Sequence, residues 1–243
     1  MNYHWNWHVF FEPSPNGTGT YLDMLLSGLV VTIVTALAAW VIALGTGTVV
    51  GVMRTLPSKA ANLFGFCYVE FFRNMPLLVQ LFLWFFVLPE LLPASWGIWL
   101  KQLPNAPFLT AVIGIGFFMS ARVAVLVSSG IEAMPRGQRA AATALGLTPT
   151  QTYRYVLLPM AYRIVLPPLT SEMLNTIKNT SVALTIGLAE LTARARAVQE
   201  FSFQVFEAFT AATVAYLVVN LIATLAARWL EARVRVPGYG GRA

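Results

Sequence analysis

Charge is what this chain of 243 residues has least of: 16 Lys or Arg and 10 Asp or Glu, 11% of the sequence, against about a quarter in an ordinary soluble domain. So few charges cannot coat a soluble domain of this size, and the long apolar runs point to lipid as the surrounding solvent. Cysteine is nearly missing as well. The single Cys67 excludes an internal disulfide and a cysteine-rich metal framework. No Gly-x-x-x-x-Gly-Lys-Ser/Thr loop occurs, so the chain cannot cradle the phosphates of ATP itself. Paired intramembrane aspartates and a membrane Ser/His couple are lacking too, which leaves intramembrane hydrolysis without candidate residues. Residues 1–20 have neither a basic start nor an early apolar core, and no cleavable signal peptide is expected. His4 and His8 stand four apart but have no further ligand close by in sequence, so no metal and no cofactor is expected.

What is present is a set of apolar stretches. Five are each long enough to cross about 30 Å of hydrocarbon: about 25–52, 60–88, 108–129, 169–191 and 205–229. The sequence therefore predicts an all-α, multi-pass membrane protein with about five transmembrane helices, a single domain over 1–243. In the first stretch, the Gly47/Gly51 spacing allows another helix to approach closely. Arg73 and Pro76 interrupt the second. Trp5, Trp7, Phe10 and Phe11 read as interfacial aromatics ahead of the first, and Trp96 and Trp99 as headgroup-level residues in a short loop.

The basic residues set the orientation. With the N-terminus outside, the inner segments hold Arg54, Lys59, Arg136, Arg139, Arg154, Arg163, Arg228, Arg233, Arg235 and Arg242, whereas the outer ones hold only Lys101, Arg194 and Arg196. This bias predicts the N-terminus outside and the C-terminus in the cytoplasm. It also explains the net charge of +6 without nucleic acid, because the arginines lie between apolar segments and form no soluble basic face. Arg73, Arg122 and Lys178 fall at membrane depth.

The longest inner loop, about 132–166, holds Pro135, a helix-prone run from Gly137 to Leu145, then Gly146 and a second run ending at Pro159. Gly146 suits the left-handed turn that ends a helix, and Pro149 suits the first turn of the next. The small residues Ala140-Ala141-Ala142-Thr143-Ala144 allow the first helix to lie closely against another surface. From physics alone that surface is either anionic lipid or a partner protein.

At this loop the chain resembles importer permeases of the ATP-binding-cassette (ABC) class. Their pattern is Glu-Ala-Ala, three residues, Gly, nine residues, Ile-x-Leu-Pro. Here Ala140-Ala141-Ala142, Gly146 and Val156-Leu157-Leu158-Pro159 match the spacing, with Ala140 where the pattern has Glu. The run from Phe71 through Arg73 and Pro76 to Gln80 resembles the second-span signature of the polar amino-acid branch. Glu172 with Lys178-Asn179-Thr180-Ser181 resembles that branch's fourth-span segment. Arg163-Ile164-Val165-Leu166-Pro167-Pro168 and Val234-Arg235-Val236-Pro237-Gly238 bring the resemblance nearest to glutamate/aspartate permease subunits. The resemblance implies a type I ABC importer permease fold in a bacterial plasma (inner) membrane. It further implies a cytoplasmic ATPase dimer carrying ATP and Mg, a second permease subunit (identical or homologous) and an external substrate-binding protein. Ala140, Ala141, Ala142, Gly146, Leu158 and Pro159 would then belong to a coupling loop seated on the ATPase. A secondary transporter driven by an ion gradient is the rival reading, and it calls for an internal repeat that this sequence lacks.

Ionisable groups at membrane depth face a cavity or a partner, because lipid cannot solvate them. Glu172, Asn175 and Asn179 share one helix face at i, i+3, i+7 spacing. In the branch, residues at the Glu172 and Lys178–Ser181 positions line the substrate path. A zwitterion needs an acceptor for its ammonium group, which Glu172 could supply. Its carboxylate needs donors, which Lys178, Thr180 and Ser181 could supply. The bland alternative is a Glu–Lys pair that only fixes packing. Arg122 offers a planar fork for an acidic side chain, or else it snorkels toward the inner surface. Arg73, three residues from Glu70 and just before the helix-breaking Pro76, reads as part of a structural gate rather than a selector.

Overall fold

The computed structural model describes residues 3–15, 17 and 19–234. Arg235, Arg242 and most of the C-terminal Val234–Gly238 motif lie outside the described residues. Every regular element among those described is helical. Among the described residues, three helices are each long and apolar enough to cross a membrane: α1 (Tyr21–Met53), α6 (Ala106–Glu132) and α11 (Val205–Val234).

The second apolar stretch is split. Helix α2 (Lys59–Asn74), capped by the Ser58 side chain, stops at Met75, and α3 (Leu77–Phe82) begins after Pro76. Both intervening residues have extended backbone, as a residue preceding proline prefers. A π turn over Leu83–Val87 leads into α4 (Leu88–Leu91) and α5 (Ala94–Lys101). The inner loop then holds α7 (Arg136–Ala144) and the single turn α8 (Pro149–Gln151).

The fourth stretch is built differently from the predicted span. Helix α9 (Leu158–Asn179) follows a π turn over Thr152–Leu157, so it starts inside the stretch read as loop and passes through Pro167 and Pro168 without stopping. Proline removes amide donors in a helix interior, and membrane helices tolerate this where hydroxyls or local adjustment re-satisfy the backbone. The Thr170 hydroxyl donates to the Leu166 carbonyl. A 3₁₀ turn over Thr180–Ile186 ends at Gly187 with φ +89°. Helix α10 (Leu191–Ser202) follows.

The chain forms two compact units. The first takes residues 1–39, 76–115 and 175–223. Its core joins Val9, Phe10, Leu25, Leu191, Val198 and Ala208. Glu190, fully buried, caps α10 by accepting from the amides of Thr192 and Ala193 and from the Tyr216 hydroxyl. Buried Glu207 accepts from the Asn6 amide at 2.7 Å and from the Tyr3 hydroxyl. This pins the N-terminal segment to α11, and the hydrogen bond to Glu207 holds the Tyr3 phenol above its ordinary pKa. Trp5 stacks on Trp7, and both stay exposed, whereas Phe10 turns into the core.

The second unit takes residues 40–75, 116–174 and 224–243. Its α1 and α6 portions meet along glycines. A Cβ on Gly47 would lie 2.7 Å from the Ser120 carbonyl oxygen, and one on Gly51 would lie 2.8 Å from that of Ala124. Small residues let backbones approach this closely in lipid. Tyr68 of α2 hydrogen-bonds Ser120 at 2.6 Å, and Phe72 stacks on Phe117.

Candidate functional site

In the second unit the structure joins two charges from distant parts of the chain. Arg122 Nη1 lies 3.7 Å from Glu172 Oε2. The guanidinium also sits over the Phe118 ring, 5.1 Å from its centroid, a geometry that favours a cation. Helix α6 places Arg122 and Phe118 one turn apart on a common face. Helix α9 supplies Glu172 from the turn after Pro167–Pro168.

The geometry of the pair is informative. A hydrogen-bonded guanidinium–carboxylate pair closes to about 2.7–2.9 Å, so a contact at 3.7 Å is a charge contact. The Arg122 side chain is 42% exposed and that of Glu172 20% exposed. In an apolar chain this leaves the planar fork of Arg122 open to a second anion, with Glu172 beside it as a base for a cation. Sequence spacing suggested a Glu172–Lys178 pair or an isolated Arg122. The Arg122–Glu172 contact has no signal in sequence, because it joins residues on separate helices.

The fourth-span residues lie at the end of α9 and in the turn after it, within the first unit. Lys178 occupies the last turn of α9, where a cation opposes the negative end of the helix dipole, and it is exposed. Ser181 Oγ donates to the Lys178 carbonyl, and buried Thr180 Oγ1 donates to that of Ile177, both at 2.7 Å. Both hydroxyls keep lone pairs to accept with. Asn175 and Asn179 are half-buried.

At the break in the second stretch, Glu70 accepts from Asn74 Nδ2 at 2.9 Å. Among the described residues Arg73 makes no ion pair with Glu70, so the carboxylate serves the residue four positions on. Pro76 caps α3.

The inner loop shows how its residues are arranged. Gly146 has φ +76°. The Gly146 amide bonds the Thr143 carbonyl, and the Leu147 amide bonds that of Ala142. These two bonds make the glycine-dependent C-cap of a helix. Thr148 and Gln151 then form a reciprocal capping box with Pro149 in the first turn. Ala140 and Ala141 are exposed and Ala142 is buried, so α7 shows one small-residue face outward. Leu145 projects with 81% of its surface exposed. Leu158 and Pro159 open α9. Tyr153 holds the loop in place: it receives a bond from Arg139 Nη2 at 3.1 Å and donates to the Thr55 carbonyl at 2.9 Å. Sequence reading missed Tyr153 and Thr55, which carry no motif.

Comparison with known proteins follows the same lines. Residues 43–236 match the family described as binding-protein-dependent transport system inner membrane component. The chain is 45% identical over 244 residues to the glutamate/aspartate import permease protein GltJ of Escherichia coli K12, covering 99% of each. It is 31% identical over 215 residues to the glutamine transport system permease protein GlnP of the same strain, covering 88% of this chain and 94% of the relative. Among solved structures, an amino acid ABC transporter with histidines superposes with TM-score 0.75 at 30% identity, over 88% of this chain and 95% of that one. The methionine ABC transporter MetNI, at 19% identity and TM-score 0.71, shares the fold.

Proposed function

The chain belongs to the family of binding-protein-dependent transport system inner membrane components, and from that membership we propose that it is the permease subunit of an ATP-driven importer of acidic amino acids, glutamate and aspartate. The full-length similarity to a glutamate/aspartate import permease supports this substrate class. The observation that carries it is the open guanidinium of Arg122 beside Glu172. In the empty path Glu172 balances Arg122. An entering acidic amino acid brings a side-chain carboxylate for the Arg122 fork and an ammonium group for Glu172. The substrate thus exchanges charges with an existing pair, and no bare ion is left in a low dielectric. In the other unit, the Lys178 ammonium group keeps protons for a carboxylate, whereas the Thr180 and Ser181 hydroxyls give theirs to backbone carbonyls.

Energy comes from a separate cytoplasmic ATPase dimer that holds ATP and Mg. The coupling loop, with Ala140, Ala141, Ala142, Gly146, Leu158 and Pro159, meets it on the inner side of a bacterial inner membrane, the N-terminus being outside. A second permease subunit completes the path, and an external binding protein delivers the substrate. Transport then follows from unequal affinity of the path for substrate in its two states.

Uptake into vesicles carrying the complete transporter tests the reading. We expect glutamate accumulation that requires ATP and the ATPase subunit and that survives collapse of proton and sodium gradients. Accumulation driven by an ion gradient without the ATPase would establish the secondary-transporter alternative instead.

A further inference from the structure

A cavity of about 600 Å³ opens within the second unit on the coupling-loop side. It is separate from the Arg122–Glu172 pair. Its polar lining comes from three elements: Arg54, Thr55 and Asn62 from the α1–α2 corner, Glu132 from the end of α6, and Arg139 and Thr143 from α7. The volume falls in the range of small-molecule sites, about 300–1,000 Å³.

The charges in the lining are unbalanced. Arg54 and Arg139 face one carboxylate, Glu132. Arg54 Nη1 is buried and makes no hydrogen bond among the described residues. Its stem is fixed against α2, where a Cβ on Gly65 would meet Arg54 Cγ at 2.6 Å. Arg139 is held by its bond to Tyr153 and by the Tyr153 ring beneath it, 5.5 Å from the centroid. A buried guanidinium hydrogen without an acceptor is costly, and a shift of the Arg54 side chain, which also lines the cavity, would offer it to an outside acceptor. Residue 140 is alanine, so no side chain from that part of α7 fills the space.

We propose that this cavity is a second, inner-side binding site for an acidic amino acid. Its two carboxylates would meet Arg54 and Arg139, and its ammonium group would meet Glu132. The pattern of two fixed guanidinium groups and one carboxylate complements two carboxylates and one ammonium. A single phosphate would leave Glu132 opposed to it. The choice of amino acid rests on the acidic-substrate reading; the site itself rests on the cavity and its arginines. Because α7 forms one wall, occupancy would bear on the helix that meets the ATPase.

The test is protection from a maleimide in the complete transporter, ATPase included, held in phosphatidylcholine nanodiscs. Asn62, exposed on the cavity wall, is replaced (Asn62→Cys) in a Cys67→Ser background. Gln102→Cys in the same background, at an exposed residue after α5 that does not line the cavity, serves as the control. Glutamate should slow modification of Asn62→Cys severalfold, glutamine should not, and Gln102→Cys should react at an unchanged rate. Arg54→Gln and Arg139→Gln should each raise the half-protecting glutamate concentration by about tenfold or more. Arg122→Ala should leave protection intact, so failure of the path reading would appear in uptake and not here. Equal modification with and without glutamate would overturn the proposal. So would protection that survives Arg54→Gln, or protection by anionic lipid added to the nanodisc that glutamate does not change.

Discussion

Arg122 and Glu172 stand fifty positions apart in sequence and 3.7 Å apart in space. Neither is sealed in, and neither has lipid as an acceptable neighbour. They make one charge contact across two helices, and both side chains stay partly exposed, 42% for Arg122 and 20% for Glu172.

This arrangement predicts a selective defect. Arg122→Ala should reduce uptake of glutamate and aspartate more than uptake of glutamine, and Glu172→Gln should reduce all three through the ammonium contact. In a double-mutant cycle on glutamate uptake, the two changes should couple by about 0.5–3 kcal/mol, as residues in one charge network do. Equal loss of acidic and neutral substrates in Arg122→Ala would remove the guanidinium from selection.

The inner loop, proposed to meet the ATPase, turns on Gly146, whose φ of +76° an L-residue adopts at a cost of about 1–2 kcal/mol. Gly146→Ala should weaken ATP-driven uptake modestly. Gly146→Pro requires a negative φ and deletes the amide that bonds Thr143. The transporter carrying it should lose uptake, with ATP hydrolysis no longer responding to substrate. A Gly146→Pro complex that assembles and pumps normally would show that the turn has no part in coupling.

The α1–α6 contact predicts a packing defect. Valine at Gly47 would drive its Cβ to 2.7 Å from a backbone carbonyl, which has no flexible end to move aside. Gly47→Val should destabilise the protein by about 1–3 kcal/mol, read as a lower temperature for loss of a monodisperse peak in detergent. Gly45→Ala, where nothing lies within 4 Å of the added atom, should have little effect.

The N-terminal segment predicts a local one. Tyr3→Phe removes the hydroxyl that reaches Glu207 and should loosen the anchoring of the segment. Limited proteolysis ahead of Trp7 should quicken while transport activity is retained. No change in cleavage would mean that the Tyr3 hydroxyl has no part in holding the segment.

Much of this was legible because its causes are local. Apolar run length announces the three long helices. Met75–Pro76 announces the break, since a proline bars the preceding residue from helical backbone. Gly146 and Thr148-Pro149 announce the paired turns of the inner loop. The fourth stretch misled for a related reason: Pro167 and Pro168 are stop signals in water, where a helix has little else to hold it, yet α9 runs through them. Tyr153 was invisible because a tyrosine on a π turn has no sequence signature until Arg139 and Thr55 arrive beside it.

The sequence by itself determined that this protein lives in lipid, where its three long helices lie and where the second stretch breaks, and which few charges had to be accounted for, because each of these follows from the solvation and backbone preferences of neighbouring residues. Only the tertiary structure decided which charges meet: Arg122 with Glu172 rather than Lys178 with Glu172, and Arg54 with Arg139 around one cavity. Such meetings depend on how helices pack across long stretches of chain, and one-dimensional spacing carries no record of that.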